Sequence, residues 1–120
     1  MKISYINLTS LICCFIPVIL KTHSRKAFII LFNGFLFHTH IDNKPLFIND
    51  LIINSGIIAD TYYYNPHLRK RIIIGCVLTL INFYITYGNN RKYYLGRKCS
   101  EIVHSLLTHV YGSYLLYLSY

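Results

Sequence analysis

The chain has 120 residues, of which 54% are hydrophobic and only 13% are charged. This length is enough for one domain, and the charged fraction is about half that of an average soluble domain. Because small domains bury the smallest share of their surface, a soluble fold of this size cannot hide so much apolar area. The composition therefore predicts that residues 1–120 form a single multi-span membrane domain.

The net charge of +8 comes from twelve Lys and Arg residues against four acidic ones. The basic residues form short clusters between apolar stretches, at 21–26, 69–71 and 91–98. Loops that flank membrane spans, near anionic lipid head groups, have this pattern. Nucleic-acid-binding proteins instead place basic residues along one face of the fold. We therefore expect membrane lipids, and no nucleic acid, as partners.

Five apolar segments follow one another along the chain. The first, residues 5–20, is short for a span, because about 20 residues are needed to cross the hydrocarbon of a bilayer. A signal peptide is the rival interpretation, but a basic run follows the segment where a cleavage site of small residues would stand. We expect an uncleaved span that Pro17 kinks or ends. The later segments are residues 27–41, 46–64, 72–87 and 102–120.

The third segment is the least apolar of the five and contains both Asp50 and Asp60. We expect it either to lie in the centre of the bundle or not to cross the membrane fully. The fold predicted is an all-α integral membrane bundle of four or five transmembrane helices. The residues do not indicate which membrane holds the chain or how many copies assemble.

Four ionisable residues lie within or at the edge of the apolar segments: His38, Asp50, His104 and His109. An ionisable group in a bilayer costs several kcal/mol unless it faces a partner or a water-filled cavity. Several of them in one small bundle therefore predict an internal polar site. Neutral imidazoles bind zinc, and a carboxylate nearby can orient or deprotonate a water molecule. A proton relay is the alternative use of the same residues.

The two late histidines are five residues apart. On a regular helix His104 shares a line with Thr108, whereas His109 shares a different line with Ser105. At about 100° per residue the two histidines stand about 140° apart, so a π-bulge is needed to bring them together. A polar stripe in the fourth segment is interpreted as helix packing; it consists of Thr79, Asn82 and Thr86.

The stretch NGFLFH at residues 33–38, followed by Asp50 and the late histidines, resembles the CREST superfamily. That superfamily includes the alkaline ceramidases and the progestin/adipoQ receptors. Its pattern is a Ser one turn before a Phe-His pair, an Asp in the following span and a two-histidine motif in the last span. The resemblance implies that His38, His104 and His109 hold zinc and that Asp50 is catalytic. It also implies a membrane hydrolase that acts on a lipid amide.

The chain departs from the superfamily pattern at three points. Gly34 stands in the position of the Ser, and the late histidines are five residues apart where the superfamily has four. The chain also has two spans fewer than the seven of the superfamily. Because of these departures, the hydrolase hypothesis includes the possibility that the chain is a degenerate relative of the superfamily.

Three functions are consistent with these residues. The first is a CREST-like, zinc-dependent intramembrane hydrolase or a degenerate relative. The second is a non-enzymatic viral or organellar membrane component that works by helix packing. The third is a proton- or ion-conducting protein that uses Asp50 and the histidines as a relay. Metal content separates the first hypothesis from the others, and ion flux in liposomes separates the third.

Overall fold

A computed structural model of the protein describes residues 3–87 and 97–119, and these residues are helical with no strand among them. The first part comprises α1 (Tyr5–Thr22), α2 (Arg25–Thr39), α3 (Lys44–Tyr64), a 3₁₀ turn (Pro66–Leu68) and α4 (Arg69–Tyr87). The second part comprises α5 (Arg97–His104), a π-helical turn (Ser105–Val110) and α6 (Tyr111–Leu118). The backbone stays helical through both junctions of the second part, so we call residues 97–118 the C-terminal helix.

Polar residues at the breaks between apolar segments set where the helices begin and end. Ser24 accepts a hydrogen bond from the Ala27 amide at 3.1 Å and so caps the start of α2. Asn43 caps α3 in the same way, through the Leu46 amide at 3.0 Å. The helix α1 ends at His23, which adopts the left-handed conformation with φ 53°. All five predicted segments are helical, with ends shifted by a few residues.

Pro17 lies inside α1 and does not end it. The helix continues to Thr22, so the expectation that the proline marks the helix exit is wrong. A proline removes one i→i−4 hydrogen bond, but the turn that follows can still close. Here the Thr22 hydroxyl donates to the Val18 carbonyl at 2.6 Å within that turn.

The core of the bundle forms where α1 and α6 meet the other helices. One cluster of buried side chains joins α1, α2 and α6; it consists of Leu11, Phe15, Val18, Ala27 and Leu116. A second cluster joins α4 to α6 and consists of Leu68, Ile72 and Leu115. Helix α2 approaches α1 closely at Gly34, where a Cβ atom would lie 2.8 Å from the Leu11 side chain. Helices α1 and α6 are therefore the central elements of the fold.

Helix α3 lies at the edge of the bundle, which corrects the first of the two alternatives given for the third segment, a central position. Thr61 is its only buried residue. Polar contacts tie it to α2: Lys26 forms an ion pair with Asp60 at 2.5 Å and donates to Thr61 at 3.3 Å. An edge position leaves Asp60 partly exposed beside a cation, whereas a central position would require partners for two carboxylates.

Among the described residues, α1 is the one helix that is long and apolar enough to cross a membrane. It lies near the N-terminus, where a signal sequence has the same properties, and a core helix of a soluble protein also meets this criterion. The second helix has only 15 residues, and a π turn divides the C-terminal helix. The bundle of four or five spans and its integral membrane location therefore stay predictions.

Candidate metal centre

Three histidines from two helices meet inside the bundle. His38 lies near the end of α2, and His104 and His109 lie on the C-terminal helix. One ligand nitrogen of each lies within 4.8 Å of those of the other two. The ring centroids are 5.4 Å apart for His38 and His104, 5.1 Å for His38 and His109, and 4.9 Å for His104 and His109. The structure thus brings together all three histidines that the sequence indicates as metal ligands.

The π-helical turn at Ser105–Val110 makes this convergence possible. In a π turn the hydrogen bonds run from residue i to residue i+5, so residues five apart come to lie on one side of the helix. His104 and His109 therefore face the same interior space, although their spacing would separate them on a regular α-helix. The requirement for a π-bulge, derived from the spacing, is confirmed.

The separation of two of the three imidazole nitrogens matches that of ligands on a tetrahedral zinc ion. The Nε2 atoms of His38 and His109 are 3.3 Å apart. Two nitrogens each bound to zinc at about 2.0–2.1 Å in tetrahedral geometry stand about 3.3–3.4 Å apart. His38 and His109 are also only 3% and 2% exposed, which protects such a site from bulk water. The residues present therefore fit a metal ion, and zinc is compatible with three imidazole ligands.

Asp50, on α3, is not one of the three clustered ligands. It lines the same cleft as His38, His104 and His109. Its Oδ1 atom is buried and has no hydrogen-bond partner, and its side chain interacts with that of Asn54 one turn later. The structure therefore places Asp50 on a wall of the cleft that the three histidines also line; its catalytic role stays a prediction.

The cleft next to the histidines has a volume of about 450 Å³ and a mainly apolar lining. Residues of α1, α2, α3, α4 and the C-terminal helix form its walls, with Phe37, Ile58 and Leu80 among the apolar ones. Thr79 and Asn82 also line it, although the sequence pattern assigned them to helix packing. The side chain of Thr86 lies outside the described residues. The polar cluster therefore borders a space suited to an apolar molecule with one polar group.

Two residues of α1 that connect to the cluster were not predicted from the sequence: Ser10, which contacts His109, and Asn7, which is linked to it through Ser105. Ser10 Oγ lies 2.5 Å from His109 Nδ1 and 2.9 Å from Ser105 Oγ. The Ser105 hydroxyl donates to Asn7 Oδ1 at 2.8 Å. Two polar residues three positions apart share a helix face. The presence of Asn7 and Ser10 on one face of an apolar helix is the sequence signal that could have indicated a polar contact there.

The remaining histidines lie outside the cluster, at or near helix ends. His23, His40 and His67 are all exposed, and none of them is a member of the cluster. Comparison with known proteins identifies no relative. No family model, no curated protein and no solved structure matches the chain.

Proposed function

We propose that the chain is an integral membrane protein whose four or five helices pack as one bundle in lipid. The support is the outer surface of the bundle, where large apolar side chains are exposed on all of the helices. On α2, for example, Phe28, Phe32 and Phe35 are 57%, 57% and 46% exposed. A soluble bundle would keep its outer faces polar. Basic residues concentrate at helix ends, as they do at a membrane surface.

Membrane integration has a direct test in alkaline carbonate, which removes peripheral proteins but not integral ones. We expect the full chain to stay with the membrane pellet, because its outer apolar surface loses its lipid environment on release. Intact mass of the pelleted protein is measured at the same time, since retention of Tyr5–Thr22 distinguishes a span from a cleaved signal peptide. Release of the chain into the supernatant would contradict the membrane proposal.

Within that membrane we propose a zinc-dependent hydrolase acting on a lipid amide. The observation that carries this proposal is the cluster of His38, His104 and His109 at the wall of an apolar cleft. Three histidines match the number of protein ligands in catalytic zinc sites. The resemblance to the CREST superfamily, which depends on the same residues, supports the same class of reaction.

The chain's own residues suit the hydrolysis of an amide at this place. When bound, zinc would supply Lewis-acid activation of water and of the substrate carbonyl. The apolar walls of the cleft suit an acyl chain, and the amide end of the substrate would lie toward the histidines. Asp50, with a buried oxygen that has no hydrogen-bond partner, can accept a proton from water and hold that water in position. The histidines are thus assigned to the metal and Asp50 to proton transfer.

Hydrolysis of a fluorogenic N-acyl amide by the purified, reconstituted chain tests this function. We expect turnover that chelation of zinc abolishes, and a loss of about 10²-fold or more in Asp50→Asn, because general acid–base groups contribute about that much. Asp60→Asn is the matched control, since Asp60 lies on the same helix but pairs with Lys26 outside the cleft.

Two results would contradict the hydrolase proposal. One is wild-type protein that carries zinc yet hydrolyses no member of an acyl-length series. The other is an Asp50→Asn protein as active as Asp60→Asn. Proton or ion flux through liposomes in place of hydrolysis would favour the conducting alternative, and neither activity would favour a packing component.

A further inference from the structure

A chain of hydrogen bonds connects His109 to the start of α1. Its members are His109 Nδ1, Ser10 Oγ, Ser105 Oγ and Asn7 Oδ1, at successive distances of 2.5, 2.9 and 2.8 Å. We call these three side chains beyond the histidine, Ser10, Ser105 and Asn7, the α1 relay. Asn7 and Ser105 are each 7% exposed, so water does not readily replace these contacts.

The unpartnered nitrogen of His38 indicates the direction in which these bonds run. A neutral imidazole carries one N–H donor and one acceptor nitrogen. His38 Nδ1 is buried with no hydrogen-bond partner, and a buried N–H left without an acceptor is costly. The proton of His38 therefore belongs on Nε2, from which it can be donated to His109 Nε2 at 3.3 Å.

If the hydrogen bonds run from His38 toward Asn7, every donor in the series has an acceptor. Because His109 accepts at Nε2, its own proton is on Nδ1 and is donated to Ser10 Oγ. The Ser10 hydroxyl then donates to Ser105 Oγ, and the Ser105 hydroxyl donates to Asn7 Oδ1. Asn7 Oδ1 is an acceptor with no proton to place, so it ends the chain of donors.

We propose that the α1 relay positions His109 and sets its tautomer, so that Nε2 presents a lone pair to the cluster before any metal arrives. Ser10 holds the ring from α1, and Ser105 and Asn7 hold Ser10 in turn. This assignment makes the three residues positioning residues for a metal ligand. This proposal rests on the proposed function in one respect only, which is that the ion bound by His109 is zinc.

The α1 relay contacts His109 but not His38, so the two most buried histidines differ in their tautomers. His109 needs no change of tautomer to bind a metal through Nε2. His38 carries its proton on Nε2, so that proton would have to leave before Nε2 could bind a metal. Partners that orient a ligating histidine typically contribute 10–100-fold to metal affinity. His109 is therefore the preorganised ligand of the cluster.

The first experiment determines the tautomer of His109 in the zinc-free, full-length protein. The chain is labelled with ¹⁵N-histidine, and the ring nitrogen shifts are measured by long-range ¹H–¹⁵N correlation in detergent micelles. We expect the Nδ1–H tautomer in the wild type and in Ser10→Thr, which keeps the hydroxyl, and its loss in Ser10→Ala. An Nε2–H tautomer in the wild type would overturn the proposal without any need for a variant.

The second experiment measures zinc affinity by competition with a chromogenic chelator. We expect Ser10→Ala to weaken binding by about 10–100-fold, and Ser10→Thr to restore most of it. Thr9→Ala is the matched control, because Thr9 is the neighbouring hydroxyl on α1 and is exposed. Helical content is checked by circular dichroism for each variant.

The two experiments separate failure of the relay from failure of the hydrolase. A wild-type chain that binds no zinc, but whose His109 loses its Nδ1–H tautomer in Ser10→Ala, would refute the hydrolase and leave the relay standing. A Ser10→Ala protein with unchanged tautomer and unchanged zinc affinity would overturn the relay while leaving the hydrolase intact.

Discussion

Purified protein is expected to carry about one zinc ion per chain, following the three-ligand pattern of catalytic sites. Replacing His38, His104 or His109 by Ala is expected to remove most of that zinc. The reason is that the remaining two imidazoles cannot complete a three-ligand set in a site with little access to water. Metal content is measured by elemental mass spectrometry after removal of loosely bound ions.

His67→Ala is the matched control for this experiment, because His67 is an exposed histidine in the turn before α4. It is expected to keep its zinc. Asp50→Asn is expected to keep more zinc than the histidine variants, because Asp50 lines the cleft but is not a member of the cluster. Wild-type protein without zinc, or zinc unchanged in His38→Ala, would leave helix packing as the better interpretation of these residues.

Deletion of Leu106 is expected to preserve the fold and the zinc site, although it removes a residue between two ligands. A π turn accommodates one residue more than a regular helix, so one deletion within it restores α-helical geometry. His104 and His109 would then be four residues apart and remain on one face. Leu106 is 57% exposed, so its removal takes little from the core. Zinc content and thermal unfolding are the measurements.

An alanine inserted between Leu106 and Leu107 is the opposite change at the same point. It would place the histidines six residues apart, about 240° on a regular helix, and is expected to abolish zinc binding. Equal loss of zinc in the deletion and the insertion would show that the cluster tolerates no change of spacing. That result would contradict the role assigned to the π turn.

The helices were predictable from the sequence because their limits depend on local chemistry. Asn43 and Pro45 start α3, and Asn65 and Pro66 end it, as expected for caps and prolines. The position of α3 was not predictable in the same way. Two carboxylates in an apolar segment indicated a need for partners, and the sequence did not reveal that Lys26 on another helix supplies one of them.

The histidine cluster was predictable because ionisable groups in apolar segments need an energetic reason to be there. The five-residue spacing also indicated the π turn, since no regular helix brings His104 and His109 together. Ser10 and Asn7 were missed for a physical reason. Small polar residues in apolar helices usually serve helix packing. Only the approach of α1 to the π turn gives Ser10 a partner in His109 and Asn7 a partner in Ser105.

The edge position of α3 separates Asp50 from the helices that carry the three histidines. All three clustered histidines belong to α2 and the C-terminal helix, whereas Asp50 comes from α3, the helix with the fewest buried residues among those before the 3₁₀ turn. A displacement of α3 changes the distance from Asp50 to the histidines while their mutual distances stay the same. In the proposed hydrolase, metal binding and proton transfer would thus depend on different helices, and a change in the position of α3 would affect the second without the first.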